Sequence, residues 1–254
     1  MPYLSENDWL FINDLIFKIN SIPDLTQMRK TFFELIKVLI PYDFITFYLA
    51  DREKLMKDPI AVGISEEDLQ RYIDEYKYFD YKRWIFLSAQ NRAFRETDLF
   101  PSKERELTPY YQKVYVRAGI HYEAILSLAY NGVFVGVVSI YRRKEGPDFS
   151  DRDIYILDIL KNHLAFRLHT GLSAGGASLS ATKPLGFYET FRKKYGLTNR
   201  ETEILELIGS GIDNEGICQK LFITINTLRK HFINIYRKMG VTKRIELFQL
   251  ISGI

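Results

Sequence analysis

The sequence predicts an α+β N-terminal domain, an antiparallel sheet with flanking helices, followed by a smaller all-α domain of four helices. Three observations carry this. Asn131-Gly132 stands between two apolar, β-branched runs, and this pair suits a tight hairpin with positive φ. The stretch GLSAGGASLSATKPLG is mostly Gly, Ser and Ala, and buries too little apolar surface to order itself. After it come short helical segments, one of which sets a basic stripe beside an apolar one. The expected division is residues 1–170, a flexible linker over 171–186, and residues 187–254.

The elements follow in order. SENDWLFINDLIFKINS and DLTQMRKTFFELIKVLI have helical periodicity, with Ser5 and Asp24 placed to cap them and Pro41 to stop the second. DFITFYLA reads as a buried strand. Helical patterns return in SEEDLQRYIDEYKYF and KERELTPYYQKVYVRAG. EAILSLAY and VFVGVVSIYRR are the two arms of the hairpin, and FSDRDIYILDILKNHLAFRLHT is a long amphipathic helix. Ser150 and Asp153 open that helix with the spacing of a capping box.

Composition narrows the function classes. Hydrophobic residues at 46% and charged residues at 26% are ordinary for a folded chain. Net charge is only +3, but it is unevenly spread. From Phe187 onward there are eleven Lys and Arg against seven Asp and Glu, whereas the first 170 residues hold 23 against 25. The final quarter is therefore suited to a polyanion. Cys218 is the single cysteine, so no disulfide forms within the chain, as expected in a reducing compartment. MPYLSENDWLF has no basic leader, and no apolar run approaches the roughly 20 residues that span a bilayer, so a cytoplasmic protein without a membrane partner is expected. The four histidines lack metal-ligand spacing, and G-x-S-x-G, H-E-x-x-H and P-loop patterns are missing. No cofactor and no enzymatic activity are expected.

The C-terminal segments form a recognisable layout. LTNRETEILELIGSG has Thr198 as its cap, Ile204, Leu205 and Ile208 as its buried face, and Gly209 and Gly211 at its end. DNEGICQKLF is a short second helix. ITINTLRKHFINIYRKMG is the third, capped by Thr224 and ended by Gly240. Along it Leu228, Phe232, Ile235 and Met239 recur at helical spacing, with Asn226, Arg229, Lys230, Ile233 and Arg237 on the neighbouring face. Two helices joined by a tight turn, the second with an exposed basic face, make a helix-turn-helix. The apolar stripe docks the helix, and the polar one is free to enter a major groove, where Arg and Lys pair with guanine edges and Ile233 meets a thymine methyl.

The stretch Leu197 to Ile251 resembles the LuxR/GerE-type DNA-binding domain. The family's L-T-x-R-E-x-E-V-L is matched by Leu197, Thr198, Arg200, Glu201, Glu203, Ile204 and Leu205, and its later motifs by Asn214, Ile217, Thr227, Arg229, His231, Asn234, Lys238, Gly240, Val241, Arg244 and Glu246. The family's N-x-E-I-A becomes NEGIC, placing Gly216 and Cys218 inside the second helix. The resemblance assigns Arg229 to the groove, Lys230 and Ile233 to variable base readers, and Thr227, Asn234 and Lys238 to the DNA backbone. Lys220 adds a phosphate contact, and Thr224, Asn226 and Arg237 complete the set. It also implies pairing of two copies through a fourth helix, TKRIELFQLISGI, with Leu247, Leu250 and Ile251 either as the seam or as closure of the domain's own core. The expected partners are double-stranded DNA, a second copy of the chain, a small-molecule ligand and RNA polymerase.

AGIHYEAILSLAYNGVFVGVVSIYRRKEGPDFSDRDIYILDIL is similar to the end of a GAF-type sensory domain, whose last hairpin carries G-x-x-x-G before F-S/T-x-x-D opens the final helix. That resemblance implies a ligand cavity on one face of the sheet. RYIDEYKYFDYKRWIF supplies Tyr72, Tyr76, Tyr78, Phe79, Tyr81, Trp84 and Phe86, rings suited equally to a pocket and to a core wall. Tyr72, Tyr76, Asp80 and Trp84 are the candidate ligand residues. They stand in an order similar to acyl-homoserine-lactone receptors, although the receptors' D-P is DY here and no P-x-x-W follows. Asp51 follows a strand without the acidic pair of a phosphate-receiver domain. Sigma-type promoter factors have a similar terminal helix-turn-helix, but NIYRKMGVTKR favours LuxR and nothing upstream resembles a promoter-melting region.

Overall fold

The computed structural model describes residues 2–50, 56–78, 80–82, 90–174, 187–209, 212 and 214–251. Helix α1 (Glu6–Ser21) begins in a reciprocal capping box. The Asp8 N–H donates to Ser5 Oγ at 3.2 Å and the Ser5 N–H to Asp8 Oδ2 at 2.9 Å. Helix α2 (Leu25–Leu39) starts where the Gln27 N–H donates to Asp24 Oδ1 at 2.7 Å.

Five strands follow: β1 (Phe44–Ala50), β2 (Met56–Val62), β3 (Arg92–Arg95), β4 (Tyr122–Tyr130) and β5 (Val133–Arg142). Their order is β2-β1-β5-β4-β3, antiparallel throughout. Between β4 and β5, Asn131 and Gly132 take φ of 50° and 75°, the turn that the sequence pair favours. Strands β2 and β3 are not foreseen from sequence. β2 holds Pro59, tolerated because the strand lies at the sheet edge, and Asp58 at φ 46°. The buried Arg29 fixes this irregular strand, donating from Nη1 to the Asp58 carbonyl and from Nη2 to its carboxylate, both at 2.6 Å.

The two helical patterns between β2 and β4 are shorter than expected. α3 (Glu66–Asp74) gives way to a 3₁₀ turn at Tyr76–Tyr78. After β3 come α4 (Glu96–Leu99) and α5 (Ser102–Arg105), then a π-helical turn at Tyr111–Tyr115 running into α6 (Val116–Ala118). Pro109 breaks this region because it has no N–H for a continuing helix. Thr108 ties the break, its Oγ donating to the Arg105 carbonyl at 2.6 Å and accepting from the Tyr111 N–H at 3.1 Å.

Helix α7 (Asp151–Ala174) opens with the Ser150–Asp153 box and includes Gly171–Ala174, which the sequence assigns to the linker. Packing explains the extension: a Cβ on Gly171 would lie 2.8 Å from Leu25 Cδ2, so this glycine admits α2 rather than freeing the chain. The remaining linker positions, 175–186, lie outside the described residues.

Both faces of the sheet are buried. Ile45, Phe47, Leu49, Ala124, Leu126, Val135 and Val138 face α1, α2 and α7. Phe44, Tyr48, Ile125, Phe134, Val137 and Tyr141 face the segments between β2 and β4. The second unit contains α8 (Phe187–Tyr195), α9 (Asn199–Gly209), α10 (Asn214–Leu221), α11 (Ile225–Met239) and α12 (Arg244–Ile251). The four expected helices are preceded by an additional one, α8. Tyr188 of α8 explains Gly209, because a Cβ there would fall 1.8 Å from the Tyr188 hydroxyl. The two units touch through Phe100 and Phe248, whose ring centroids are 5.1 Å apart in an edge-to-face arrangement.

Candidate nucleic-acid interface and sensory cavity

α11 owes its ends to local chemistry. The Thr227 N–H donates to Thr224 Oγ1 at 3.2 Å, and Gly240 closes the helix at φ 70°. Leu228, Ile235 and Met239 are buried among Ile204, Leu205, Ile208 and Ile217, and Phe232 is half-buried. The other face is open. Asn226, Arg229, Lys230 and Arg237 are exposed, and Ile233 is 65% exposed. These positions recur at three- and four-residue steps, so they form one stripe along the helix. Arg229 Nη1 lies 3.4 Å from Asn226 Oδ1, and Arg237 Nη2 3.5 Å from Asn234 Oδ1. Bonds this long between exposed groups are readily exchanged for a ligand's acceptors.

The flanking residues divide into two kinds. Thr224 and Lys220 are exposed, and Thr227 and Asn234 are half-buried. Lys238 is engaged internally: its Nζ donates to the Gly196 carbonyl at 2.9 Å and to Glu201 Oε2 at 2.7 Å. Burial pushes the Glu201 carboxyl up, but Lys238 and the Thr198 N–H outweigh it and hold the group below its ordinary range. Lys238 therefore clamps α11 onto the start of α9. Phe222, in the turn between α10 and α11, is a candidate that the sequence does not single out. It is 95% exposed at φ 53°. Its sequence neighbours give no sign of that conformation.

Two of the three residues of the expected pairing seam on α12 sit in the unit's own core. Leu247 and Ile251 are buried inside the chain's own core, so in this conformation they are not available to a second copy; Leu250 is half-buried. Packing of α12 against the rest of its own unit, together with the Phe248–Phe100 contact, consumes that face.

In the N-terminal unit Tyr72, Tyr76 and Asp80 come together at a cavity of about 60 Å³ under the sheet. Trp84, Phe79 and Phe86 lie outside the described residues. Tyr81 points away into the core, completely buried against Phe100 at 4.7 Å. The cavity is also lined by Tyr48, Tyr110, Tyr115 and Tyr141. The wall carries a buried network that joins the expected Tyr72 and Asp80 to residues the sequence did not single out, because they come from separate elements. The Tyr72 hydroxyl donates to Asp80 Oδ2 at 2.8 Å, and Lys82 Nζ donates to Glu123 Oε2 at 2.5 Å and to the Tyr115 hydroxyl at 2.7 Å. Tyr115 also donates to Glu123, and Tyr81 to Glu96. Arg105 Nη1 donates to Glu96 Oε2 at 2.9 Å.

This environment moves the titrating groups. Burial raises Asp80 and Glu96, with Lys82 opposing it in both. Burial lowers Lys82, but Asp80, Glu123 and Glu96 outweigh it and keep the ammonium charged. His121, whose Nδ1 is 2.6 Å from the Tyr111 hydroxyl, is pushed down by burial and by Arg105.

Comparisons with known proteins separate the two units. Residues 196–251 match the family described as bacterial regulatory proteins, luxR family. The transcriptional regulatory protein LiaR of Bacillus subtilis is 48% identical over 50 residues, 20% of this chain and 24% of that protein. The HTH-type transcriptional regulator MalT of Yersinia pestis is 42% identical over 53 residues, 21% of this chain and 6% of that protein. The GAF domain of a phosphoenolpyruvate-protein phosphotransferase from Coxiella burnetii superposes with a TM-score of 0.50 at 13% identity, over 66% of this chain and 96% of that one. The N-terminal fold is thus GAF-like, and residues 196–251 form a luxR-type helix-turn-helix domain. The chain spans between 6 and 24% of the length of these curated relatives.

Proposed function

We propose that this chain is a sequence-specific, DNA-binding transcriptional regulator whose N-terminal domain holds a small ligand that controls it. The observation that carries the proposal is the division of α11. Its apolar stripe is spent on the domain core, and Asn226, Arg229, Lys230, Ile233 and Arg237 remain in solvent on one side. A major groove about 12 Å wide accepts such a helix. Arg229 and Lys230 are the candidate base readers, with Ile233 as an apolar contact. Thr224, Thr227, Asn234 and Lys220 border the stripe, where phosphates would lie.

Communication between cavity and DNA-binding unit has a physical route. Tyr110 lines the cavity and packs on Tyr81 at 5.7 Å, Tyr81 on Phe100 at 4.7 Å, and Phe100 on Phe248 of α12 at 5.1 Å. A ligand that shifts Tyr110 therefore disturbs rings in continuous contact with the DNA-binding unit. With Leu247 and Ile251 buried, Leu250 is the residue of the expected seam that a second copy could reach. Selection of duplexes from a random pool by the full-length protein tests the reading. A common sequence should be enriched and bound with salt-sensitive affinity. Failure to enrich any sequence, or binding indifferent to salt, contradicts it.

A further inference from the structure

The cavity is asymmetric in charge. Asp68, Asp80 and Glu123 line it together with Arg117 and Lys113, whereas Lys82, which pairs with Asp80 and Glu123 and donates to the Tyr115 hydroxyl, is not part of the lining. Extending the tally to the whole buried network gives three carboxylates, Asp80, Glu96 and Glu123, against two cations, Lys82 and Arg105, among the described residues. Among these described residues the carboxylates outnumber the cations by one. Carboxylates held charged in a dry site are costly, so such a network favours uptake of a proton or of a cation.

The walls suit a cation. Six tyrosines among the described residues line the space, and their ring faces carry negative electrostatic potential. The same rings already hold one ammonium: Lys82 Nζ lies 4.6 Å from the centroid of Tyr110 and 4.9 Å from that of Tyr115. At the mouth, Arg117 is drawn aside to Asp68 at 3.2 Å, and Lys113 is exposed to solvent. A volume of about 60 Å³ accommodates roughly four to six water-sized groups. Leu69, Ile64 and Val137 complete the lining with apolar surface, which favours a short alkyl portion.

We propose that this cavity binds a small organic ammonium ion, its alkyl part against Leu69 and Val137 and its charge toward Asp80 and Glu123 within the tyrosine rings. The proposal rests on the reading of this cavity as the ligand site of the regulator and names the class of that ligand. Burial raises Asp80, with Lys82 opposing it and Glu123 adding to it, and a nearby cation would favour the charged form of the group.

Three probes of one shape separate the possibilities: isobutylammonium, isobutanol and isobutyrate. Each is titrated into the full-length protein at constant ionic strength, with calorimetry and tyrosine fluorescence as readouts. Isobutylammonium should bind at least about tenfold more tightly than isobutanol, and isobutyrate more weakly than either. Asp80→Asn keeps the shape and removes the charge, and should abolish the preference for the ammonium. Should that variant fail to fold, the ratio of the first two probes on the unmodified protein decides alone. Equal or tighter binding of isobutanol, or preference for isobutyrate, overturns the cation class and leaves the cavity as a ligand site. No binding by any of the three overturns the class and removes support for the cavity as well.

Discussion

Arg229 and Phe222 are the residues on which the DNA-binding reading is sharpest. Arg229 is exposed, with a single weak bond to Asn226, so its removal should leave folding intact. Arg229→Ala should cost about 1–3 kcal/mol at a selected site if the guanidinium reads a base. An equal loss on unrelated duplexes would make it a phosphate contact instead. Phe222 raises a different question. A non-glycine residue in the left-handed region costs about 1 kcal/mol, and this ring buries almost nothing in return. Its position between Lys220 and the cap of α11 suggests contact with the nucleic acid. Phe222→Gly should therefore hold or raise the unfolding midpoint while weakening DNA binding roughly 3- to 10-fold, a loss of about 1 kcal/mol. Unchanged DNA affinity would show the ring to be idle there.

Helices and strands were legible in the sequence where their causes are local. Ser5, Asp24, Ser150, Thr198 and Thr224 all bond the backbone they were placed to cap, since a cap needs only its next three residues. The Asn131-Gly132 turn is local too. Strand β3 has four residues, too few for a period to show, and β2 is interrupted by Asp58 and Pro59. Helix α8 is rich in charge, and its place depends on Tyr188 meeting Gly209. The buried network was invisible for a similar reason: Lys82, Glu96, Arg105 and Glu123 become neighbours only after the sheet forms. Gly136 tests the packing of the hairpin. A Cβ there would lie 2.6 Å from the Tyr48 carbonyl and 3.1 Å from Leu168 of α7. Gly136→Ala should destabilise the protein by about 1–3 kcal/mol, read from denaturant midpoints. A midpoint within about 0.5 kcal/mol of the parent would mean that β1 and α7 give way easily.

At the scale of the whole molecule, the contact of Phe100 with Phe248 links the two units. It is small, and it joins a core surrounding the cavity to the last helix of the DNA-binding unit. Phe100→Leu removes the ring while leaving a bulky apolar side chain, and should cost roughly 1–2 kcal/mol. Amide exchange in Arg244–Ile251 should accelerate in that variant although the substitution lies in the other unit. Unaltered exchange there would mean that the two units do not communicate through this contact.

The central claim is that α11 presents its cationic side to duplex DNA. It is tested most directly by measuring the affinity of the full chain for a selected duplex as salt rises from about 50 to 200 mM. With about four phosphate contacts, affinity should fall on the order of 100-fold, with a logarithmic slope of roughly −3 to −4. A flat salt profile, or retention of full affinity when Arg229 and Lys230 are both replaced by Ala, would contradict it.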